Sequence, residues 1–242
     1  MYPRPRLLPL GEAALTIEFG AAIERAAQAA VRACDRALRA EAPAGVIEVV
    51  PTYRSVTVRF DPTVTSRNAL ATWFAGRDFS PAPADEQRPA AVIPVVYGGE
   101  YGPDLGDVAA HAGLAPEEVV RRHSAAVYTV SMIGFLAGFP YLTGLPPELS
   151  TPRLKTPRTS VPAGAVGIAG EQTGIYPRTS PGGWRLIGRA SVQLWDPARE
   201  RPSLLEPGDR VRFQAVTPEE FARSGGAPGS PSGGPSRGGE PE

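Results

Sequence analysis

Apolar and polar residues alternate at period two in two early stretches. Leu15, Ile17 and Phe19 alternate with Thr16 and Glu18, and Val56, Val58 and Phe60 alternate with Thr57 and Arg59, the pattern of strands with one wet face. Between them Ile23, Ala27, Ala30, Val31, Cys34 and Leu38 recur at helical spacing, with Glu24, Arg25, Gln28, Arg32, Asp35 and Arg36 on the other side, which predicts an amphipathic helix. Residues 46–50 read as a further strand and residues 68–74 as a shorter helix ending at Gly76. The order over residues 6–76 is strand, strand, helix, strand, strand, helix. It predicts a small α/β sandwich, with helices on one face of a mostly antiparallel sheet. Cys34 falls on the apolar side of its helix and reads as a buried structural thiol.

The texture changes after a Pro-rich linker at residues 78–89. A strand is expected at 91–96, a short helix at 104–112, and a helix at 117–123 opened by Pro116 at its first position, where the missing amide proton costs nothing. From residue 128 to 216 short apolar runs are separated by Gly/Pro turns every eight to twelve residues, the rhythm of a β-barrel or sandwich. Gly182-Gly183 reads as a turn between a run at 167–175 and one at 184–187, and Pro207-Gly208-Asp209 as the turn before 210–213. The chain therefore divides into a domain at residues 1–80, a β-barrel domain at 90–217 and a Gly/Pro/Ser-rich tail, residues 218–242, too poor in apolar side chains to order itself. The class is α+β.

Charge and composition narrow the function. The 242 residues carry no formal net charge and no Lys/Arg-rich run of five or more, so neither nucleic acid nor an anionic membrane has an electrostatic foothold. One cysteine excludes an internal disulfide and multi-cysteine metal sites, fitting a reducing cytoplasm. The uncharged stretch 124–147 is long enough to span a bilayer, yet Gly134, Gly138, Pro140, Gly144 and Pro146-Pro147 would break a helix repeatedly. It reads as a buried strand followed by a turn-rich apolar loop.

Standard loops for nucleotides and zinc are missing from the sequence, and no nucleophilic-serine loop lies ahead of the Gly/Pro/Ser-rich tail. Two histidines remain. His111, before Gly113, reads as a helix C-terminal residue; His123 is either a helix-end residue or a base delivered to the mouth of a pocket. Residues 152–181 are richest in polar groups on a Gly-rich background: Arg153, Lys155 and Arg158, then Gln172, Thr173 and Tyr176. Arg153 and Arg158 can clamp a carboxylate or phosphate, and the same residues would equally suit a solvated Gly-rich hairpin. Phe135, Phe139 and Tyr141 crowd the apolar loop beyond what one irregular connection easily hides, which marks either an interface or a lid over the chain's own barrel.

GFLAGFPYL (134–142), TPRLKTPRTSVPAGAVGIAGEQTGIYP (151–177) and SPGGWRLIGR (180–189) closely resemble the B-type subunit of bacterial ATP-dependent 5-oxoprolinase, also called the allophanate hydrolase subunit 1 or sporulation-kinase-inhibitor family. The resemblance runs from about Leu8 to Val216. It implies an N-terminal α/β domain followed by a cyclophilin-like β-barrel. It also implies two partners, a homologous C-type subunit with the same barrel and a separate A-type subunit. ATP with Mg would act in the assembled complex, with no covalently bound cofactor, and the chain, inactive alone, would take part in opening 5-oxoproline to glutamate. The resemblance places His123, Gln172, Thr173 and Tyr176 as catalytic, Arg153 and Arg158 as substrate-binding, and Phe135, Phe139 and Tyr141 at the partner interface. Two alternatives share the fold and stay open: a subunit of the allophanate or urea carboxylase type, and a non-enzymatic inhibitor of a sensor histidine kinase.

Overall fold

The computed structural model describes residues 1–41, 43–79 and 89–223. It divides into two compact units, Met1–Gln87 and Arg88–Glu242.

The first unit follows the expected element order: β1 (Arg6–Leu10), β2 (Ala14–Glu18), α1 (Arg25–Glu41), β3 (Val46–Pro51), β4 (Ser55–Phe60) and α2 (Arg67–Ala75). The strands form one antiparallel sheet in the order β1-β2-β4-β3. Leu15, Ile17, Val56, Val58 and Phe60 line its inner face and pack against Ala27, Val31, Cys34 and Leu38 of α1 and Leu70 and Phe74 of α2. Each large side chain so buried contributes roughly 1.5–3 kcal/mol. Burial pushes the Cys34 thiol well above its ordinary range, with Asp35 adding to the effect, so it is an inert core residue. Ile23, expected on the apolar side of α1, lies ahead of its first turn and is exposed. Phe79, assigned to the linker, is instead buried against Phe19 and Phe74, because aromatic area outweighs its Pro-rich setting. Residues 80–88 of that linker lie outside the described residues.

The second unit contains β5 (Ala91–Tyr97), α3 (Leu105–Ala112), α4 (Pro116–Ala125), β6 (Tyr128–Ile133), β7 (Pro140–Thr143), a 3₁₀ turn at Pro147–Leu149, β8 (Arg158–Val161), β9 (Ala165–Ala169), β10 (Gln172–Ile175), β11 (Ser180–Gly182), β12 (Arg185–Ala190), β13 (Arg210–Ala215) and α5 (Pro218–Arg223). Seven strands close a barrel in the order β10-β7-β6-β13-β5-β12-β9. The β5–β13 pair is parallel and the other barrel pairs are antiparallel. β8 and β11 make a separate two-stranded ribbon. Ile93, Val95, Tyr128, Val130, Leu142, Ile168, Ile175, Val211 and Phe213 share one core with Leu105 and Val108 of α3 and Val119 of α4. Among the described residues no helix is long and apolar enough to cross a membrane.

Two expectations for the second unit need correction. The run at 167–175 is a hairpin, because Ala169 pairs with Gln172 across Gly170-Glu171, and Gly170 takes the left-handed φ of +57° that a two-residue turn requires. The tail expected from residue 218 begins with helix α5. Thr217 N–H donates to Glu220 Oε2 at 2.9 Å, and Glu220 N–H donates to Thr217 Oγ1 at 3.2 Å, a reciprocal cap that starts a helix after Thr217. Phe221 then buries itself beside Tyr101, ring centroids 5.4 Å apart. Residues 224–242 lie outside the described residues.

Candidate functional site

The β9–β10 hairpin distributes the residues expected to act together. Side chains alternate along β10, so Thr173 and Ile175 face the core while Gln172 and Gly174 face outward. At Gly174 a Cβ would come within 3.0 Å of the Trp184 ring and 3.2 Å of Phe139. Its outer side therefore lies under a second, smaller core of Phe139, Val161, Tyr176, Trp184 and Leu186.

On the inner side, His123 is fully buried, stacked on Phe213 with centroids 4.7 Å apart. Its Nδ1 lies 2.8 Å from Tyr97 Oη and its Nε2 lies 3.0 Å from Thr173 Oγ1. Thr173 gives its one hydroxyl proton to the Gly167 carbonyl at 2.9 Å, so its oxygen must accept from His123. The imidazole thus carries its proton on Nε2, and Nδ1 accepts from Tyr97. Burial lowers the His123 pKa to about 3, and the ring is neutral. Both nitrogens are committed, and Thr173 is as buried as His123. The two form a polar core lock, closed to solvent in this conformation, where a pocket base was expected.

On the outer side, Tyr176 is 1% exposed, and its hydroxyl sits so close under Gly182 that a Cβ there would lie 2.4 Å away. Burial raises its pKa. It is a core phenol of the outer cluster, where an accessible catalytic group was expected. Gln172 is half-buried at the rim of the same face.

The two arginines separate. Arg158 makes a two-pronged ion pair with Asp104, at 2.9 and 2.7 Å, and Asp104 Oδ2 also accepts the Leu186 amide at 2.7 Å. Asp104 is 5% exposed, so Arg158 neutralises a buried carboxylate and is not free to take a substrate's. Arg153 is exposed and has no anionic partner among the described residues. Its charge reaches both phenols, opposing the upward shift that burial imposes on Tyr141 and Tyr176. Leu154 N–H donates to the Gly183 carbonyl at 2.8 Å, and this holds the Arg153 segment beside the ribbon.

The interface residues separate too. Phe139 is 1% exposed, packed edge-on to Tyr176 and Trp184 at 5.1 and 5.4 Å, which corrects its reading as an exposed contact. Phe135 is 61% exposed, and Tyr141 is half-buried beside Arg153. The accessible polar surface is therefore Arg153, Tyr141 and Gln172, resting on a rigid aromatic base. A cation, a phenol and an amide so placed can hold a small carboxylate and polarise an adjoining amide carbonyl. Sequence reasoning missed Asp104, which looked like a helix start, and Tyr97, which lay one residue past the expected end of its strand.

The chain matches the family described as carboxyltransferase domain, subdomain C and D, over residues 5–205. It belongs to that family. This carboxyltransferase-domain chain is 45% identical over 211 residues to the 5-oxoprolinase B subunit of Escherichia coli O157:H7, an alignment covering 87% of this chain and 95% of the relative. Among solved structures it resembles TTHA0988 with a TM-score of 0.75 and 40% identity, covering 84% of this chain and 40% of that one; the chain thus spans well under half of that relative's length. The urea amidolyase of K. lactis shares the fold, with a TM-score of 0.72 at 20% identity, over 91% of this chain and 15% of that one.

Proposed function

We propose that this chain is the B-type subunit of an ATP-dependent 5-oxoprolinase, which opens the 5-oxoproline lactam to glutamate together with a homologous C-type chain and an A-type chain. The observation that carries the reading is the 45% identity to the B subunit of a 5-oxoprolinase, over 95% of that relative. This reading takes the companion C-type chain as the counterpart of sequence outside the match in TTHA0988, of which the matched part is 40%.

The site chemistry supports the substrate class. 5-Oxoproline carries one carboxylate and one lactam amide, and Arg153 is an exposed cation beside the Tyr141 phenol with Gln172 on the neighbouring strand. Arg153 would take the carboxylate, and Gln172 and Tyr141 would orient the lactam. His123, Thr173 and Tyr176 keep the framework rigid beneath them. Arg158 holds Asp104, which fixes the Leu186 amide and so the edge of β12.

ATP drives the reaction because an unstrained lactam is hard to hydrolyse and phosphorylation would activate its carbonyl. Among the described residues no group of three or more His, Cys, Asp and Glu side chains could hold a metal ion, and the reading assigns ATP and Mg to the assembled complex.

The test is reconstitution. The purified chain, mixed with its C-type and A-type companions, is expected to show 5-oxoproline-dependent ATP hydrolysis, and none of the three alone should. A companion pair that is fully active without this chain would overturn the reading.

A further inference from the structure

The connection between β6 and β7 carries a feature the candidate site does not use. Leu136 N–H donates to the Gly134 carbonyl at 2.7 Å across a single residue, Phe135, whose φ is +66°. A three-residue turn with a left-handed centre is a strained conformation, and a side chain with a Cβ makes it worse. Among the described residues Phe135 is the one non-glycine with positive φ. Its ring is also 61% exposed. The fold thus sets a bulky aromatic in a strained backbone and leaves it in water, with an edge contact to Phe139 at 5.7 Å in return.

The loop is braced. Gly134 N–H donates to the Phe139 carbonyl at 3.2 Å and Phe139 N–H to the Leu136 carbonyl at 3.0 Å. Gly138, at φ +79°, lets the chain lie against the 194–195 backbone, where a Cβ would meet the Trp195 Cβ at 2.9 Å. Phe135 is thereby held in position, and Trp195, 38% exposed, extends the apolar surface. From Phe135 the rings run on through Phe139 and Tyr141 to Trp184, at successive centroid distances of 5.7, 4.9 and 5.8 Å. The exposed ring is therefore continuous with the base of the Tyr141–Arg153 surface.

We propose that the Phe135 turn is a preformed knob that enters an apolar pocket on the C-type companion chain, seating that chain over the Tyr141–Arg153 surface. The inference rests on the subunit reading above and names where the companion docks. The occupant follows from the two lengths of relative. The matched region is 95% of a B-type chain that stands by itself and 40% of the single polypeptide TTHA0988. On the subunit reading, what that polypeptide joins covalently is held here by contacts, and apolar anchors in the middle of a patch supply most of such binding. Backbone strain held by a braced loop is also the kind of local cost found at binding sites.

The experiment compares Phe135→Gly and Phe135→Ala with the native chain, using the purified C-type companion, calorimetric titration and thermal unfolding. Phe135→Gly relieves the turn and removes the ring. The expected result is a Tm unchanged or raised by about 2–4 °C with companion affinity lowered about tenfold or more. Phe135→Ala removes the ring and keeps the strain, so it should lose the same affinity without the gain in Tm. Affinity within about twofold of native for either variant would overturn the proposal, as would a clear fall in Tm for Phe135→Gly, which would make the ring part of this chain's own core. Self-association of the native chain that the glycine variant abolishes would assign the knob to a second copy and overturn it as well. Failure of the native chain itself to bind the companion would overturn the subunit reading, a result distinguishable because it needs no substitution.

Discussion

His123 Nε2 stands 3.0 Å from Thr173 Oγ1, and the same hydroxyl donates to the Gly167 carbonyl at 2.9 Å. Helix α4 is thereby tied to the β9–β10 hairpin through a relay in which every buried polar atom is used. Thr173→Val keeps the shape and deletes the relay's middle. It strands the His123 N–H and costs about 1–3 kcal/mol, to be seen as a lower urea midpoint at unchanged slope. An unchanged midpoint would show that the relay contributes nothing to stability.

The same burial makes stability depend on pH. The His123 pKa falls to about 3 in the folded chain, whereas the unfolded chain binds the proton near its ordinary value of about 6.5. The unfolded state therefore holds more protons between those values, and stability must fall as the pH drops below about 6.5, by up to about 1.4 kcal/mol per pH unit. In His123→Gln this slope should vanish. The measurement is the difference in unfolding free energy between native and variant at pH 7, 6, 5 and 4.5; a difference that stays flat would contradict a neutral buried imidazole.

Helix α5 is the last described element. A chain ending at Arg223 removes only the Gly/Pro/Ser-rich segment and should melt within about 2 °C of the full chain. Phe221→Ala, which empties the site beside Tyr101, should cost about 3 kcal/mol. Thermal unfolding of both variants checks this, and equal melting temperatures for all three chains would show that α5 adds no stability.

Much of the fold was legible because it rests on periodicity. Leu15, Ile17, Val56 and Val58 declared their sheet face by alternation, and Ala27, Val31, Cys34 and Leu38 declared a helix face by spacing. α5 was legible too, since Thr217-Pro218-Glu219-Glu220 spells a reciprocal cap, but the glycines after it masked the signal. The site was legible only as a neighbourhood. Nothing in QTGIY says that Thr173 turns inward while Gln172 turns out until the hairpin at Gly170-Glu171 fixes the register. Nor does the spacing of Arg153 and Arg158 reveal that Asp104, 54 residues before Arg158, claims the second of them. Long-range pairing decides which polar group is free, and local sequence does not carry it.

The division between the two arginines gives the sharpest functional prediction. Arg158→Ala leaves the Asp104 carboxylate buried without its partner, and breaking such a pair costs about 3 kcal/mol or more. Much of that loss should return in the Arg158→Ala/Asp104→Asn double variant, because the two changes couple. Arg153→Ala removes an exposed cation from the rim of the Tyr141–Gln172 surface and should leave the melting temperature in place. In the reconstituted enzyme it should raise the KM for 5-oxoproline about tenfold to a hundredfold, the value of one charge-assisted hydrogen bond to a carboxylate. Arg153→Lys should recover part of the loss, since a lysine keeps the charge and gives up the two-pronged geometry. An Arg153→Ala enzyme that assembles normally and keeps the native KM would remove Arg153 from the site and move the substrate carboxylate to another cation.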